Sequence, residues 1–247
     1  MLDVRGLSLR YPNGTQALAG FDVAVGSGEL VVVLGGNGSG KTTLLRCISR
    51  TLSPDKGEVR VGGVDLAQLS GEKLRRARLD LAVISQHAAL VRRRSVIANV
   101  ATGALGRHDT LWTALGGLPA DELTAARGHL GEVGLDHLAR QRAGTLSGGQ
   151  AQRVAIARAL AQRPRVLLAD EPVASLDPEA AEDIMRLLKR LAAEEKLAVL
   201  CVLHQVELAY RYADRVVGIR GGRLAFDLPR AEVSREAVHR LYLSEAA

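Results

Sequence analysis

Leu30-Val31-Val32-Val33-Leu34-Gly35-Gly36-Asn37-Gly38-Ser39-Gly40-Lys41-Thr42 is the stretch that decides the fold. Its unbroken Leu/Val run, read as a strand from Glu29 to Leu34, suits a parallel sheet covered on both faces, because a strand with one wet side would alternate. The next eight residues match G-x-x-x-x-G-K-[ST], and a helix pattern from Lys41 to Arg50 follows. Strand, glycine loop and helix in that order make a phosphate cradle. Glycines let successive backbone N–H groups turn inward, the helix N-terminus adds its positive end, and a lysine supplies a point charge for β- and γ-phosphates. The chain has only five lysines, so Lys41 inside the motif carries weight. Gly35 through Thr43 (Gly35, Gly36, Asn37, Gly38, Ser39, Gly40, Lys41, Thr42 and Thr43) are the candidate ATP-binding residues, with Thr42 placed to hold Mg²⁺.

Working outward, short β-rich runs at Leu2 to Leu9, Phe21 to Val25 and Val59 to Val61 surround this unit. Parallel-type strands are expected at Leu81 to Ile84, Val166 to Ala169, Ala198 to Leu203 and Val216 to Ile219, separated by helical patterns. The core is therefore α/β and doubly wound. Between Gln86 and Ser147 no strand pattern occurs, only amphipathic helix such as Leu123 to Val133, so this stretch reads as an inserted helical lobe with a loop at Gly106 to Leu118. A turn at Gly221-Gly222, a strand at Arg223 to Phe226 and a terminal helix from Arg230 to Leu243 complete the chain.

The 247 residues are 47% hydrophobic and 24% charged, which excludes a disordered chain, and two cysteines cannot form a disulfide scaffold. Cys47 and Cys201 lie in apolar surroundings, as expected of a reducing compartment. The longest apolar runs, Leu30 to Leu34 and Leu197 to Leu203, are far shorter than a membrane span, and the N-terminus lacks a secretory pattern, so the chain is expected in the cytoplasm. A formal net charge of +6 fits nucleic acid, anionic lipid or phosphate ligands alike. The basic clusters Arg75-Arg76-Arg78 and Arg92-Arg93-Arg94 come without interleaved aromatic residues, so no nucleic-acid partner is expected. They read as solvated helix faces, with Arg92 to Arg94 open to a protein contact.

Val166-Leu167-Leu168-Ala169-Asp170-Glu171 is an apolar strand ending in two acids, which puts them at the sheet's carboxyl edge, where open α/β folds bind ligands. Asp170 suits Mg²⁺. Glu171 could act as general base toward a water in line with the γ-phosphate. Leu146-Ser147-Gly148-Gly149-Gln150 opens a further helix, Ala151 to Ala161, and so makes a second glycine-rich anion site. Taken alone it is an ordinary Ser-capped helix start. Taken with the first cradle it points to two copies closing on two nucleotides with two-fold symmetry.

These motifs, in this order and spacing, resemble those of ABC-transporter ATPase subunits over nearly the whole chain. The resemblance implies a P-loop NTPase core of RecA-like type with a mostly parallel sheet, a small antiparallel β subdomain and an inserted helical subdomain. The single domain 1–247 would divide into a core at about 1–86 and 162–229, a helical subdomain at about 87–161 and a C-terminal helix from about 230. It also implies that Gln86, after the strand Leu81 to Ser85, touches Mg²⁺ or the attacking water, that His204 hydrogen-bonds the γ-phosphate, and that Tyr11 stacks on adenine. Ser147, Gly148, Gly149, Gln150 and Asp177 would contact the ATP held by a second copy. The implied partners are a homodimer mate, membrane permease subunits and, indirectly, a solute-binding protein, with the chain peripheral on the cytoplasmic face of the plasma membrane.

The segment Asp170-Glu171-Pro172-Val173-Ala174-Ser175-Leu176-Asp177-Pro178 resembles the version in phosphonate-import ATPases. So do Leu90-Val91, Arg94-Ser95-Val96, Asn99-Val100, Gly103 to Arg107 and Trp112, whereas Gln86-His87-Ala88-Ala89 departs from that subgroup's Gln-Phe-Asn type of run, and Gly36 stands where Pro, Ser or Arg is frequent. The expected solute is a phosphonate or a related phosphorus oxyanion. The alternatives are an importer of phosphate or amino acids, and a soluble ABC protein outside transport.

Overall fold

The computed structural model describes residues 1–108 and 119–242. Its strands are β1 (Leu2–Arg10), β2 (Gln16–Val25), β3 (Leu30–Leu34), β4 (Lys56–Val61), β5 (Val64–Asp65), β6 (Leu81–Ile84), β7 (Val166–Asp170), β8 (Ala198–Val202), β9 (Arg215–Arg220) and β10 (Arg223–Pro229). Its helices are α1 (Lys41–Ile48), α2 (Gly71–Ala77), α3 (Val96–Ala101), α4 (Ala120–Glu132), α5 (Gly148–Leu160), α6 (Pro178–Glu195), α7 (Val206–Tyr212) and α8 (Arg235–Tyr242).

The strands form a four-stranded sheet, ordered β2-β1-β4-β5, and a six-stranded sheet, ordered β10-β9-β3-β8-β7-β6. The small sheet is antiparallel throughout. In the large one only β10 runs antiparallel to its neighbour. The reason lies in β3, whose five residues are all fully buried. Leu30, Val32 and Leu34 enter one apolar cluster and Val31 and Val33 the other, so the strand's period of two feeds a core on each face of the sheet. Each such Val or Leu contributes about 1.5–3 kcal/mol of burial. The parallel α/β arrangement read from the Leu/Val run is the one observed.

One cluster extends from β3, β7 and β8 into α3, α4 and α5 through Val96, Val100, Ala126, Leu130, Val154 and Ile156. The helices between Gln86 and Ser147 therefore pack on the sheet's own core, and among the described residues that stretch holds no strand, only a bridge between Ser95 and Arg142. Helix α6 shows how sequence sets its limits. Asp177 caps it by accepting from the Ala180 N–H (2.9 Å), Pro178 opens its first turn, and Lys196 leaves it in the left-handed region at φ 55°. Its buried residues, Ala181, Ile184, Met185, Leu187, Leu188, Leu191 and Ala192, recur at helical spacing.

Several boundaries differ from expectation. Strand β2 begins at Gln16 rather than Phe21, because Gln16 and Leu18 pair with β1 through an irregular register. The terminal helix does not start at Arg230. Arg230–Glu232 is a 3₁₀ turn, Val233 is extended, and the Ser234 hydroxyl accepts from the Ala237 N–H (3.1 Å), which restarts the chain as α8. Gly106 and Arg107 lie in a 3₁₀ stretch, Thr102–Arg107, rather than a loop. His108 is extended, and residues 109–118 of the expected loop, Trp112 among them, and Leu243 lie outside the described residues.

Both cysteines are free and buried. Burial pushes the Cys47 thiol up to about 11 and raises that of Cys201 still further. Since the thiolate is the reactive form, a thiol reagent at mildly alkaline pH is expected to label neither cysteine in the native chain and both after unfolding. Rapid labelling of the native chain would show that α1 or β8 opens.

Candidate nucleotide-binding site

Helix α1 begins without any side-chain cap: Gly40 precedes it at φ 107°, and no side chain takes a bond from its first N–H groups. Those donors are left for an anion. Glycine is required at both ends of the loop. A Cβ on Gly35 would lie 2.4 Å from the Ile219 carbonyl oxygen and one on Gly40 2.6 Å from that of Ala17. Lys41, 5% exposed, folds its ammonium onto the Gly35 and Gly36 carbonyls at 2.7 and 2.8 Å. Burial lowers its pKa, while Glu171 and Asp170 act in the opposite direction.

A pocket of about 350 Å³ is lined by Tyr11, Asn37, Gly38, Ser39, Gly40, Lys41, Thr42, Thr43, Glu171 and His204, together with Thr15, Gln16 and Ala17. The carboxyl ends of β3, β7 and β8 converge on it. Register explains how: Val33 pairs with Val202, and Val202 pairs with Asp170, so the cradle and the acidic strand end stand level across one intervening strand. Glu171 donates its N–H to the Val202 carbonyl (3.1 Å) and then turns at φ 51°, a conformation costing roughly 1–3 kcal/mol outside glycine. That turn brings Glu171 Oε1 to 2.5 Å from His204 Nε2. Tyr11 closes the far side, its hydroxyl 3.1 Å from that of Thr43.

Asp170 does not line the pocket surface. Its Oδ1 is buried without a hydrogen-bond partner, as is the Ser39 hydroxyl. Burial raises the Asp170 pKa, Glu171 adds to that, and Arg46, Lys41 and the Thr42 hydroxyl counteract it. An unpartnered buried carboxylate oxygen beside a threonine hydroxyl fits a hard, oxygen-seeking cation such as Mg²⁺.

Other expected site residues stand apart from this pocket. Strand β6 ends at Ile84, as the apolar run Leu81 to Ile84 indicates, so Ser85 lies outside it, and Gln86 is exposed beyond it without a side-chain hydrogen bond among the described residues. Ser147 and Gln150 form a capping box at the start of α5, with Gln150 N–H to the Ser147 hydroxyl (3.2 Å) and Ser147 N–H to Gln150 Oε1 (3.0 Å). Gly148 and Gly149 pack against Leu176 and Ala180, where added Cβ atoms would sit at 3.2 and 3.1 Å. Asp177 caps α6. Ser147, Gly148 and Asp177 are exposed, and none of these residues lines the pocket of its own chain. Thr15, Gln16 and Ala17 escaped sequence reasoning, and the signal that could have found them is the turn run Pro12-Asn13-Gly14, which brings the Thr15 carbonyl back to the Tyr11 N–H (2.9 Å).

A larger hollow of about 500 Å³ lies between α4, α5 and α6, lined in part by Arg153, Asp183, Arg186 and Arg190. Its arginines are already engaged by Asp183, Glu194 and the Glu132 carbonyl, so it is a solvated charged seam. Arg75 and Arg76 are likewise bound to Glu72, whose carboxyl they hold down at about 2.

The ABC transporter family model matches residues 18–174. The phosphonates import ATP-binding protein PhnC of Thiobacillus denitrificans is 44% identical over 99% of this chain and 93% of its own length. A second such protein, PhnC 3 of Halalkalibacterium halodurans, is 40% identical over 98% of this chain and 94% of its own. Among solved structures, cbiO1 of Clostridium perfringens, part of the ABC transporter complex cbiONQ, superposes with a TM-score of 0.84 at 31% identity over 97% of this chain and 92% of its own. A dimeric ATP-binding cassette in a post-hydrolysis state bound to ADP and Pi gives 0.80 at 29% identity, over 93% and 99%. With the uncapped cradle, the acidic strand end and the separate Ser147 helix start all on one α/β core, this chain belongs to the ABC-transporter family of ATP-binding cassettes.

Proposed function

We propose that this chain is the ATP-hydrolysing subunit of an importer for phosphonates or a related small phosphorus oxyanion, working as a homodimer beneath separate permease subunits on the cytoplasmic face of the plasma membrane. The observation that carries the reading is the convergence of Lys41, Glu171 and His204 on one pocket, with the unpartnered Asp170 oxygen behind it. The solute class rests on the relatives named above, which match along almost the whole chain. No helix among the described residues is long and apolar enough to cross a membrane, so the transport path belongs to other subunits.

In this reading Tyr11 stacks on adenine, and the amides of Gly36 to Thr43 with the Lys41 ammonium hold the β- and γ-phosphates. Thr42 and Asp170, with Gln86 arriving from beyond β6, would hold Mg²⁺, whose chemistry is to neutralise charge across those phosphates. Glu171 accepts a proton from the attacking water, and His204 orients Glu171 and hydrogen-bonds the γ-phosphate. Ser147, Gly148, Gly149, Gln150 and Asp177 of one copy close on the nucleotide of the other. Residues 87–161 form the lobe that meets the permease, and the exposed Val83 and Val91 beside the free edge of β6 supply apolar contact there.

The test is to reconstitute the chain with the permease and binding protein encoded beside it and to measure ATP hydrolysis. Stimulation by a phosphonate- or phosphite-loaded binding protein is expected. Stimulation by an amino-acid-loaded one alone would refute the solute class and leave the ATPase reading standing. His204→Ala is expected to lower kcat by about 10²-fold or more with little change in nucleotide affinity, because its bond matters most as charge redistributes in the transition state. An unchanged kcat with a lower melting temperature would make His204 a structural residue.

A further inference from the structure

Side chains of helix α5 hold the turn after β6. Gln152, 3% exposed, donates Nε2 to the Ser85 carbonyl (3.2 Å). Arg158 donates Nη2 to the Ala88 carbonyl (2.8 Å) and Nη1 to that of Ala89 (2.9 Å). The two side chains are six residues apart, about 9 Å along the helix axis, so they bracket Gln86. Ala89 is in the left-handed region at φ 45°, which gives its carbonyl an orientation that ordinary extended or helical backbone would not. Just past α5, Gln162 holds the other end of the strand at the carbonyls of Arg78, Leu79 and Leu81, each at 2.9 Å.

Arg158 has no carboxylate partner among the described residues; its guanidinium meets only those two carbonyls. Its pKa is lowered by burial alone. A half-buried cation paired only with neutral oxygens is a poor source of stability, which points to a positional role. The guanidinium holds the two carbonyls from two nitrogens fixed in one plane, whereas an ammonium would reach them from a single atom on a flexible stem. Register shows what the grip positions: Ile84 and Ala169 are the last pair of β6 and β7, and Gln86 and Glu171 each follow two residues beyond that pair, at the same edge of the sheet.

We propose that Arg158 is the positioning residue for Gln86: by clamping the Ala88 and Ala89 carbonyls it fixes the turn that presents Gln86 to Asp170 and Glu171, and makes that turn one body with the helix headed by Ser147. This rests on the ATPase reading. Two mechanical consequences follow. The clamp sets turnover rather than nucleotide binding, since neither Arg158 nor the turn lines the pocket. A shift of Gln86 is also carried along α5 to the Ser147 end that meets the second copy.

The experiment compares wild type, Arg158→Lys, Arg158→Met, Gln86→Ala and the double variant Gln86→Ala/Arg158→Lys by steady-state ATP hydrolysis and by amide hydrogen exchange. Arg158→Lys is expected to lower kcat about tenfold with KM within about twofold, and to speed exchange across residues 86–90. In the Gln86→Ala background the same change is expected to cost less than about twofold, because a residue acting through Gln86 has nothing left to act on. Additive losses, or an unchanged kcat in Arg158→Lys, overturn the proposal. So does unchanged exchange in the turn, and this arm still decides whether Arg158 holds it if the wild-type chain hydrolyses no ATP, the result that would sink the ATPase reading itself. Should Arg158→Met fail to fold, Arg158→Lys, which keeps the charge and the aliphatic stem, carries the comparison.

Discussion

Glu171→Gln is expected to bind ATP, hydrolyse it about 10²–10⁴-fold more slowly and accumulate as a dimer, the range being that supplied by a positioned general base. The amide keeps the shape of the carboxylate and its 2.5 Å neighbour His204, yet cannot take the proton of the attacking water. Ser147 and Gln150 do not line the pocket of their own chain, so in the proposed dimer they would close on the second copy's nucleotide for as long as ATP remains. Light scattering with ATP and Mg²⁺ should show the mass double, and a persistent monomer at saturating ATP would count against the shared site. Adding Ser147→Arg should prevent the doubling without greatly weakening binding to the monomer. It destroys the capping box at a cost of about 1 kcal/mol and places a long side chain at the start of α5, away from the chain's own pocket.

Lys41→Ala is expected to remove turnover and most ATP affinity. A hydrogen bond to a charged group contributes roughly 1.5–3 kcal/mol, or about 10- to 100-fold per bond, and Lys41 can offer more than one to the β- and γ-phosphates. A second effect acts in the same direction. The ammonium also ties the Gly35 and Gly36 carbonyls together, so its removal loosens the cradle before any nucleotide arrives. Because burial lowers the Lys41 pKa, its charge is lost at a lower pH than that of an ordinary lysine, and affinity should weaken correspondingly early on the alkaline side. Nucleotide titration checks both points. Undiminished hydrolysis by Lys41→Ala would remove the cradle from the mechanism.

How much of this was legible beforehand depended on distance along the chain. The cradle was, because strand, loop and helix are contiguous and every requirement, from the buried Leu/Val run to the uncapped start of α1, is local. The acidic end of β7 and the glycine-rich start of α5 were legible for the same reason. Boundaries set by strand register or by a competing cap were not. The start of β2 depends on register with β1, and the break at Val233 depends on a cap that competes with continuous helix.

The sequence by itself determined which chemistry the chain carries: a phosphate cradle, two acids at a strand end, a second glycine-rich helix start and a histidine after a buried strand. Only the tertiary structure decided which of these meet. Glu171 and His204 are 33 residues apart, and Tyr11 and Thr43 are 32 apart. They come together because parallel pairing places the carboxyl ends of β3, β8 and β7 level at one edge. The same pairing leaves Ser147 to Gln150 off the pocket, fixed by tight packing of Gly148 and Gly149 on Leu176 and Ala180. The Ser85 and Ala88 carbonyls on either side of Gln86 are held by side chains of α5 that lie 67 and 70 positions further along the chain. No local pattern encodes such meetings, because they are set by strand register and helix packing, which exist only once both faces of the sheet are covered.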